Sequence, residues 1–187
     1  GTGKTMLASR LNSIMPSLNK QEALSSAMIA SIKGGDNISQ SFYKRPFRHP
    51  HHTSSAVSLV GGGSNPMPGE ISLSHNGVLF LDELPEFDRR VLEVLREPIE
   101  TGAINISRAK CQVEYPANFQ LIAAMNPCPC GYLGSHAKQR TDSLQNIRRY
   151  QSKLSGPLLD RIDLHVEVLE ISQQDLTNQE LRGEKIS

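Results

Sequence analysis

Apolar residues recur at helical spacing near the start of the chain. Met6, Leu7, Leu11 and Ile14 form one run and Pro16 stops it, which predicts a helix over 6–15. Ala23, Leu24, Ala27, Met28 and Ile32 share one face of a second run that exits at Gly34-Gly35, predicting a helix over 20–33. The periodicity is then lost. Residues 36–76 are rich in Gly, Pro and His, with short apolar pieces that suggest strands or hairpins inside a long excursion. Excursions of that length within a compact domain are usually functional or mobile.

Order returns at "GVLFLDE" (77–83), a short unbroken apolar run ending in two acids. It suits a strand buried on both faces, as in a parallel sheet. A helix is predicted over 88–99. Residues 102–116 read as two alternating strands around a polar turn at Arg108-Ala109-Lys110, a hairpin. "FQLIAAMNP" (119–127) is a second buried strand, 128–142 a loop, about 144–154 a helix and 162–171 a last strand. The final 16 residues are polar. Strands separated by helices, apolar throughout, predict an α/β fold with a parallel sheet.

Composition changes this picture little. The 187 residues are 37% hydrophobic and 21% charged, an ordinary soluble balance for one domain or one domain and part of another. No apolar stretch approaches the roughly 18–20 residues of a membrane span, and no secretory signal precedes the first motif. A net charge of +1 does not announce a nucleic-acid binder. Five basic residues and one acid between Lys138 and Lys153 make a basic segment, a pattern that most often marks a solvated face. Three cysteines, Cys111, Cys128 and Cys130, are poor material for a disulfide scaffold, and a reducing, cytoplasmic setting is expected.

Candidate chemistry begins at the first residues. "GTGKT" fills the end of the phosphate-binding pattern G-x-x-x-x-G-K-[ST]. In such a loop, Gly1, Thr2 and Gly3 would offer backbone N–H groups and Lys4 would reach the outer phosphates. The Thr5 hydroxyl would ligand Mg²⁺ at the start of a helix. Alone, the stretch could be a chance Gly-rich turn. "GVLFLDE" supplies the partner: Asp82 at the strand's end can sit beside the Mg²⁺ of bound ATP, and Glu83 can polarise the attacking water. Asn126, at the tip of the second buried strand, can hold that water, although Asn-Pro also starts many turns. Arg161 precedes the last strand. It can act in trans as an arginine finger on a neighbouring subunit, or simply pair with Asp160 or Asp163. Arg108 and Lys110 put positive charge at the hairpin tip, suited to DNA phosphates or to plain solubility.

The order GKT, strand-DE, strand-N and DR-before-a-strand resembles AAA+ ATPases. The blocks "RPFRHPHHTSSAVSLVGGG", "PGEISLSHNGVLFLDELPEF", "INISRA", "FQLIAAMNPCPCG" and "SGPLLDRIDLHVEV" bring the resemblance closer. They resemble the magnesium-chelatase-like bacterial ATPases of the ComM/YifB type, over nearly all of the chain to about residue 172. The resemblance implies an AAA+ core over 1–172, with 173–187 beginning a linker or lid. It also implies a protease-like domain before the core, a helical lid after it, and a hexameric ring that uses ATP to drive DNA branch migration. In that branch of AAA+ proteins a hairpin lies at the place of 102–116, and the 36–76 region is similar to a second, pore-facing hairpin region. In the AAA+ sheet the strand feeding the phosphate loop lies between the Asn126 strand and the last one. Without that strand and the loop's first Gly, the chain by itself is expected to bind ATP poorly, with a gap or re-pairing in the sheet.

Cys128-Pro-Cys130 is half of a four-ligand zinc site. Many relatives carry a second Cys-x-Cys where this chain has "AKQRTDS", and His136 is the one further nearby ligand, so zinc is not expected. His49, His51 and His52 read as loop residues of the family rather than metal ligands. Three functions therefore remain: an ATP-hydrolysing DNA motor, an ATP-driven remodeller of a protein partner like the magnesium chelatase motor subunit, and a nucleotide-gated or zinc-tied interaction module.

Overall fold

The computed structural model describes residues 3–34, 42–108, 111–130 and 142–168. Helix α1 (Lys4–Ile14) ends where Met15 turns extended ahead of Pro16, and α2 (Lys20–Ile32) starts at a complete capping box of Asn19 and Glu22. That box satisfies N–H groups that the first turn of a helix otherwise leaves unpaired. Both apolar stripes behave unexpectedly. Met6, Leu7, Leu11 and Ile14 are exposed, as are Leu24, Met28 and Ile32; of the predicted faces Ala23 is buried, together with Ala8 and Ile29, which lie off them.

The 36–76 excursion contributes to the main sheet. Strand β1 (Phe47–Arg48) runs parallel to β4 (Val78–Leu81), pairing Phe47 with Val78 and Arg48 with Leu79. Between them lie α3 (Ala56–Val60), a small antiparallel pair β2 (Gly61–Gly62) and β3 (Met67–Pro68), and α4 (Glu70–Leu73). Arg48 fastens β1 to α4 through contacts of 2.6 Å to Glu70, which Lys33 approaches to 3.6 Å. Burial alone would raise the Glu70 carboxyl, but the Arg48 guanidinium and the Lys33 ammonium outweigh it and hold the group below its usual range. Gly77 lets the two parallel strands begin side by side. Val78 N–H donates to the Pro46 carbonyl at 2.8 Å, and a Cβ on Gly77 would lie 2.0 Å from that same oxygen.

Strand β7 (Gln120–Ala123) pairs with the other edge of β4, giving a parallel sheet in the order β1-β4-β7. Every residue of β4 is buried, as its unbroken apolar sequence predicts. Its side chains alternate between two cores. Val78 and Phe80 pack with Ala8 of α1 and Ala124, while Leu79 and Leu81 face a larger cluster that includes Leu59, Ile71, Val91, Leu95, Ile104 and Leu158. The fold is therefore mixed α/β, a parallel sheet flanked by helices.

The helix predicted over 88–99 is two pieces, α5 (Arg89–Glu93) and α6 (Arg96–Thr101). Pro98 explains the break: it cannot donate to the Val94 carbonyl and its ring crowds that group, whereas it is tolerated in the first turn of α6. The hairpin forms as expected, with β5 (Ala103–Arg108) and β6 (Cys111–Pro116) in register from Ala103↔Pro116 to Arg108↔Cys111. Helix α7 (Leu144–Gln151), capped by the Ser143 hydroxyl, and α8 (Gly156–Leu159) follow. The last strand is a correction. Residues 162–168 form no strand, and Leu164 and Val166 are 82% and 81% exposed. An alternating segment becomes a strand only with a neighbour to hydrogen-bond, and among the described residues none lies beside it. Residues 169–171 of that expected strand, and the tail 173–187, lie outside the described residues. No helix among the described residues is long and apolar enough to cross a membrane.

Candidate functional site at the tips of the parallel strands

Gly3 precedes α1 with φ 76°, in the left-handed region that favours glycine, and so turns the chain into the helix. Lys4 and Thr5 are thereby the first residues of a helix whose N-terminus points at the C-terminal ends of β4 and β7. The Thr5 hydroxyl donates to Asp82 Oδ2 at 2.5 Å, across 77 residues of sequence. The other oxygen of Asp82 accepts the Glu83 backbone N–H at 3.0 Å. Glu83 itself has φ 53° and ψ 46°, an uncommon left-handed conformation for a residue with a side chain. It is held there because Leu84 N–H reaches the Ala124 carbonyl and Ala124 N–H reaches the Leu81 carbonyl, each at 2.9 Å. The ends of β4 and β7 are thus tied together, and Asn126 emerges beside the two acids. Gly3, Lys4, Thr5, Asp82, Glu83, Met125 and Asn126 line one cavity of about 170 Å³.

Six of the residues singled out in the sequence therefore meet in one place: Gly3, Lys4, Thr5, Asp82, Glu83 and Asn126. Gly1, Thr2, Lys110 and His136 lie outside the described residues. Arg108 ends β5, next to the hairpin turn. Arg161 is elsewhere. It lines a separate cavity of about 500 Å³ with Met15, Arg45, Gln120 and Leu164. Its guanidinium contacts the Glu100 carboxylate and the Pro157 carbonyl, not the neighbouring Asp160 or Asp163.

The cavity suits the phosphate end of a nucleotide more than a whole one, since pockets for drug-sized ligands are typically 300–1,000 Å³. A hydroxyl and a carboxylate oxygen in contact are hard donors of the kind Mg²⁺ takes, usually together with phosphate oxygens and water. A lysine and a helix N-terminus beside them fit an anionic group. The residues present fit magnesium with a phosphate ester.

Two further features surround the site. His52 Nδ1 lies 3.4 Å from Glu83 Oε2, a contact that the reading of His52 as a loop residue missed. Tyr150 of α7 is buried against the loop after β7, and Gln151 Nε2 donates to the Pro127 carbonyl at 3.3 Å. Burial, followed by the nearby Glu86 carboxylate, pushes the Tyr150 hydroxyl up to about 12, so it stays protonated; the Asn126 backbone N–H works the other way. Cys128 and Cys130 bring their sulfurs to 3.2 Å, and Asp142 accepts the Cys130 N–H at 2.8 Å. The three side chains place one donor atom each within 4.8 Å of one another, a carboxylate standing near the thiols that the sequence spacing alone did not bring in.

A helix that opens on Lys-Thr after Gly3, facing the acid-tipped central strand of a parallel sheet, makes this a mixed α/β core consistent with the P-loop type. The family model described as "Magnesium chelatase, subunit ChlI" matches residues 1–176, and the chain belongs to that family, as a protein of the ComM/YifB type. It is 57% identical to the YifB protein of Salmonella typhimurium over 169 residues, 90% of this chain and 33% of that protein. Against the competence protein ComM of Haemophilus influenzae it is 54% identical over 185 residues, 98% of this chain and 36% of that protein. A more distant match, 32% over 96 residues, covers 51% of this chain and 10% of the DNA replication licensing factor Mcm6 of Drosophila melanogaster. The chain spans about a third of the length of these YifB and ComM relatives.

Proposed function

We propose that this chain is the AAA+ core of an ATP-hydrolysing motor that acts on DNA, with the core over 1–172 and residues 173–187 opening a linker or lid. The observation that carries the reading is the convergence of Lys4, Thr5, Asp82, Glu83 and Asn126 on one cavity, with Thr5 bonded to Asp82. Lys4 holds the outer phosphates of ATP, and Gly1, Thr2 and Gly3 supply backbone N–H groups to them. Thr5 and Asp82 hold Mg²⁺, which when bound neutralises phosphate charge. Glu83 accepts a proton from the attacking water, and Asn126 orients that water. Arg161 serves a neighbouring subunit in a ring, hexameric by analogy with the family. Its contact with Glu100 then has to open on assembly.

The DNA half of the proposal rests on the hairpin. Two strands in register put Arg108 at the end of β5, Lys110 follows it two positions on in the sequence, and positive charge there suits phosphate contacts. The name of ComM ties that relative to competence, and the Mcm6 match, to a replication factor, points the same way. A second reading is favoured by the family's own description, magnesium chelatase: the same ATP residues would drive remodelling of a protein partner. Steady-state ATPase measurements on the protein in its full natural length, with and without forked DNA, separate the two. DNA should stimulate the rate, and Lys4→Ala should abolish it. An equal rate with and without DNA would count against the DNA motor and leave the remodeller.

A further inference from the structure

We propose that His52 is a positioning residue for Glu83, holding the carboxylate that activates water; the inference rests on the ATPase reading. The sheet register leads to it. Strands β1 and β4 pair Phe47 with Val78 and Arg48 with Leu79, and the chain leaving the end of β1 carries His52 to the same end of the sheet as Glu83, which follows β4. The side chains meet accordingly, with Nδ1 3.4 Å from Oε2.

The imidazole is itself fixed from two sides. The His51 ring stacks on it with centroids 4.1 Å apart, and the Phe87 ring meets it edge-on at 6.4 Å. His51 is held in turn by the Thr53 hydroxyl, 2.9 Å from its own Nδ1. Phe87 is buried and caps the short 3₁₀ turn Leu84–Glu86 that directly follows Glu83. Both partners of the contact are therefore anchored by the same local structure. Glu83 needs such a hold. Its side chain is 54% exposed, and a flexible exposed carboxylate spends little time in one reactive orientation. His52 touches neither phosphate nor water in this role: it acts through Glu83.

The test uses the full-length protein with saturating Mg²⁺ and measures kcat, KM and ATP affinity for three variants. His52→Phe keeps the ring stack but removes the nitrogen. His52→Asn returns a nitrogen near the Nδ1 position. Glu83→Gln checks the underlying reading. His52→Phe should lower kcat about tenfold or more with KM and ATP affinity nearly unchanged, because a misplaced reacting group costs rate rather than binding. His52→Asn should recover most of the rate. An unchanged or raised kcat in His52→Phe overturns the proposal, as does a loss confined to ATP affinity, or His52→Asn performing no better than His52→Phe. Wild-type protein without ATPase activity, or Glu83→Gln at full rate, would overturn the ATPase reading and this proposal with it.

Discussion

Asp82→Asn separates the structural from the chemical role of the strand tip, because the two predict magnitudes far apart. Asp82 accepts two hydrogen bonds, from Glu83 N–H at 3.0 Å and from the Thr5 hydroxyl at 2.5 Å. An asparagine keeps one carbonyl acceptor, so only one of them is removed, and Thr5 is exposed enough to turn its hydroxyl to water. The cost to folding is then one ordinary hydrogen bond, about 0.5–1.5 kcal/mol. For a chain of this size that is a drop in Tm of roughly 2–4 °C per kcal/mol. The cost to hydrolysis is of another order. A metal-binding carboxylate underlies several kcal/mol of charge stabilisation, and each 1.4 kcal/mol is about tenfold in rate. Asp82→Asn should therefore melt within a few degrees of wild type and lose on the order of 10²-fold or more in ATP hydrolysis, with a much higher Mg²⁺ requirement. Calorimetry and a coupled ATPase assay across a Mg²⁺ titration measure both. A variant that hydrolyses ATP within about threefold of wild type at the same Mg²⁺ would refute the assignment of Asp82, since a loss that small is about 0.65 kcal/mol.

Three further outcomes follow from the same structure. Leu79→Ala, at a fully buried position of β4, should destabilise the chain by about 2–5 kcal/mol, whereas Leu11→Ala on the exposed stripe of α1 should cost under about 0.5 kcal/mol in urea unfolding; equal costs would contradict the packing described. His75 is held below its usual 6.5 by burial, with Glu22 opposing, and its Nδ1 accepts the Asn118 N–H at 3.1 Å. A depressed folded value means that the unfolded chain binds the proton first, so stability is full above pH 6.5 and falls as pH drops through the folded value. His75→Asn should flatten that slope in denaturant midpoints between about pH 7.5 and 5.5, and a parallel slope would exclude His75 as its source. Finally, Arg108→Glu with Lys110→Glu should weaken DNA binding and make log K less steep in log salt, by about 0.9 for each phosphate of duplex DNA that is no longer neutralised; unchanged binding would remove the hairpin from the DNA reading.

The parts legible in the sequence were those whose signal is local. "GVLFLDE" is apolar because β4 is buried on both faces, and its acids end the run where the strand leaves the core. Gly3-Lys4-Thr5 stands before a helix in both sequence and structure, and the alternating residues on either side of 108–110 do pair as a hairpin. What was not legible depends on partners distant in sequence. Nothing in Met6, Leu7, Leu11 and Ile14 reveals that Ala8, between them, makes the contact to Val78 and Phe80. The alternation of 162–168 resembles a strand, but a strand also requires a neighbour. Phe47 and Arg48 are too short a piece to read as a strand until β4 is beside them. With that pairing unread, His52 could not be set against Glu83, and the acid came to light without its histidine. Asp142 was invisible beside Cys128 and Cys130 for the same reason, since separation along the chain hides their proximity.

The central claim is that the cavity shared by Lys4, Thr5, Asp82, Glu83 and Asn126 is an ATP-hydrolysing site. The most direct measurement is ATP binding and turnover side by side in the full-length protein and its Glu83→Gln variant. The wild type should hydrolyse ATP in a Mg²⁺-dependent way, and Glu83→Gln should bind ATP normally with turnover all but abolished. Wild-type protein that neither binds nor hydrolyses ATP, or a Glu83→Gln variant that turns over as fast as wild type, would contradict the claim.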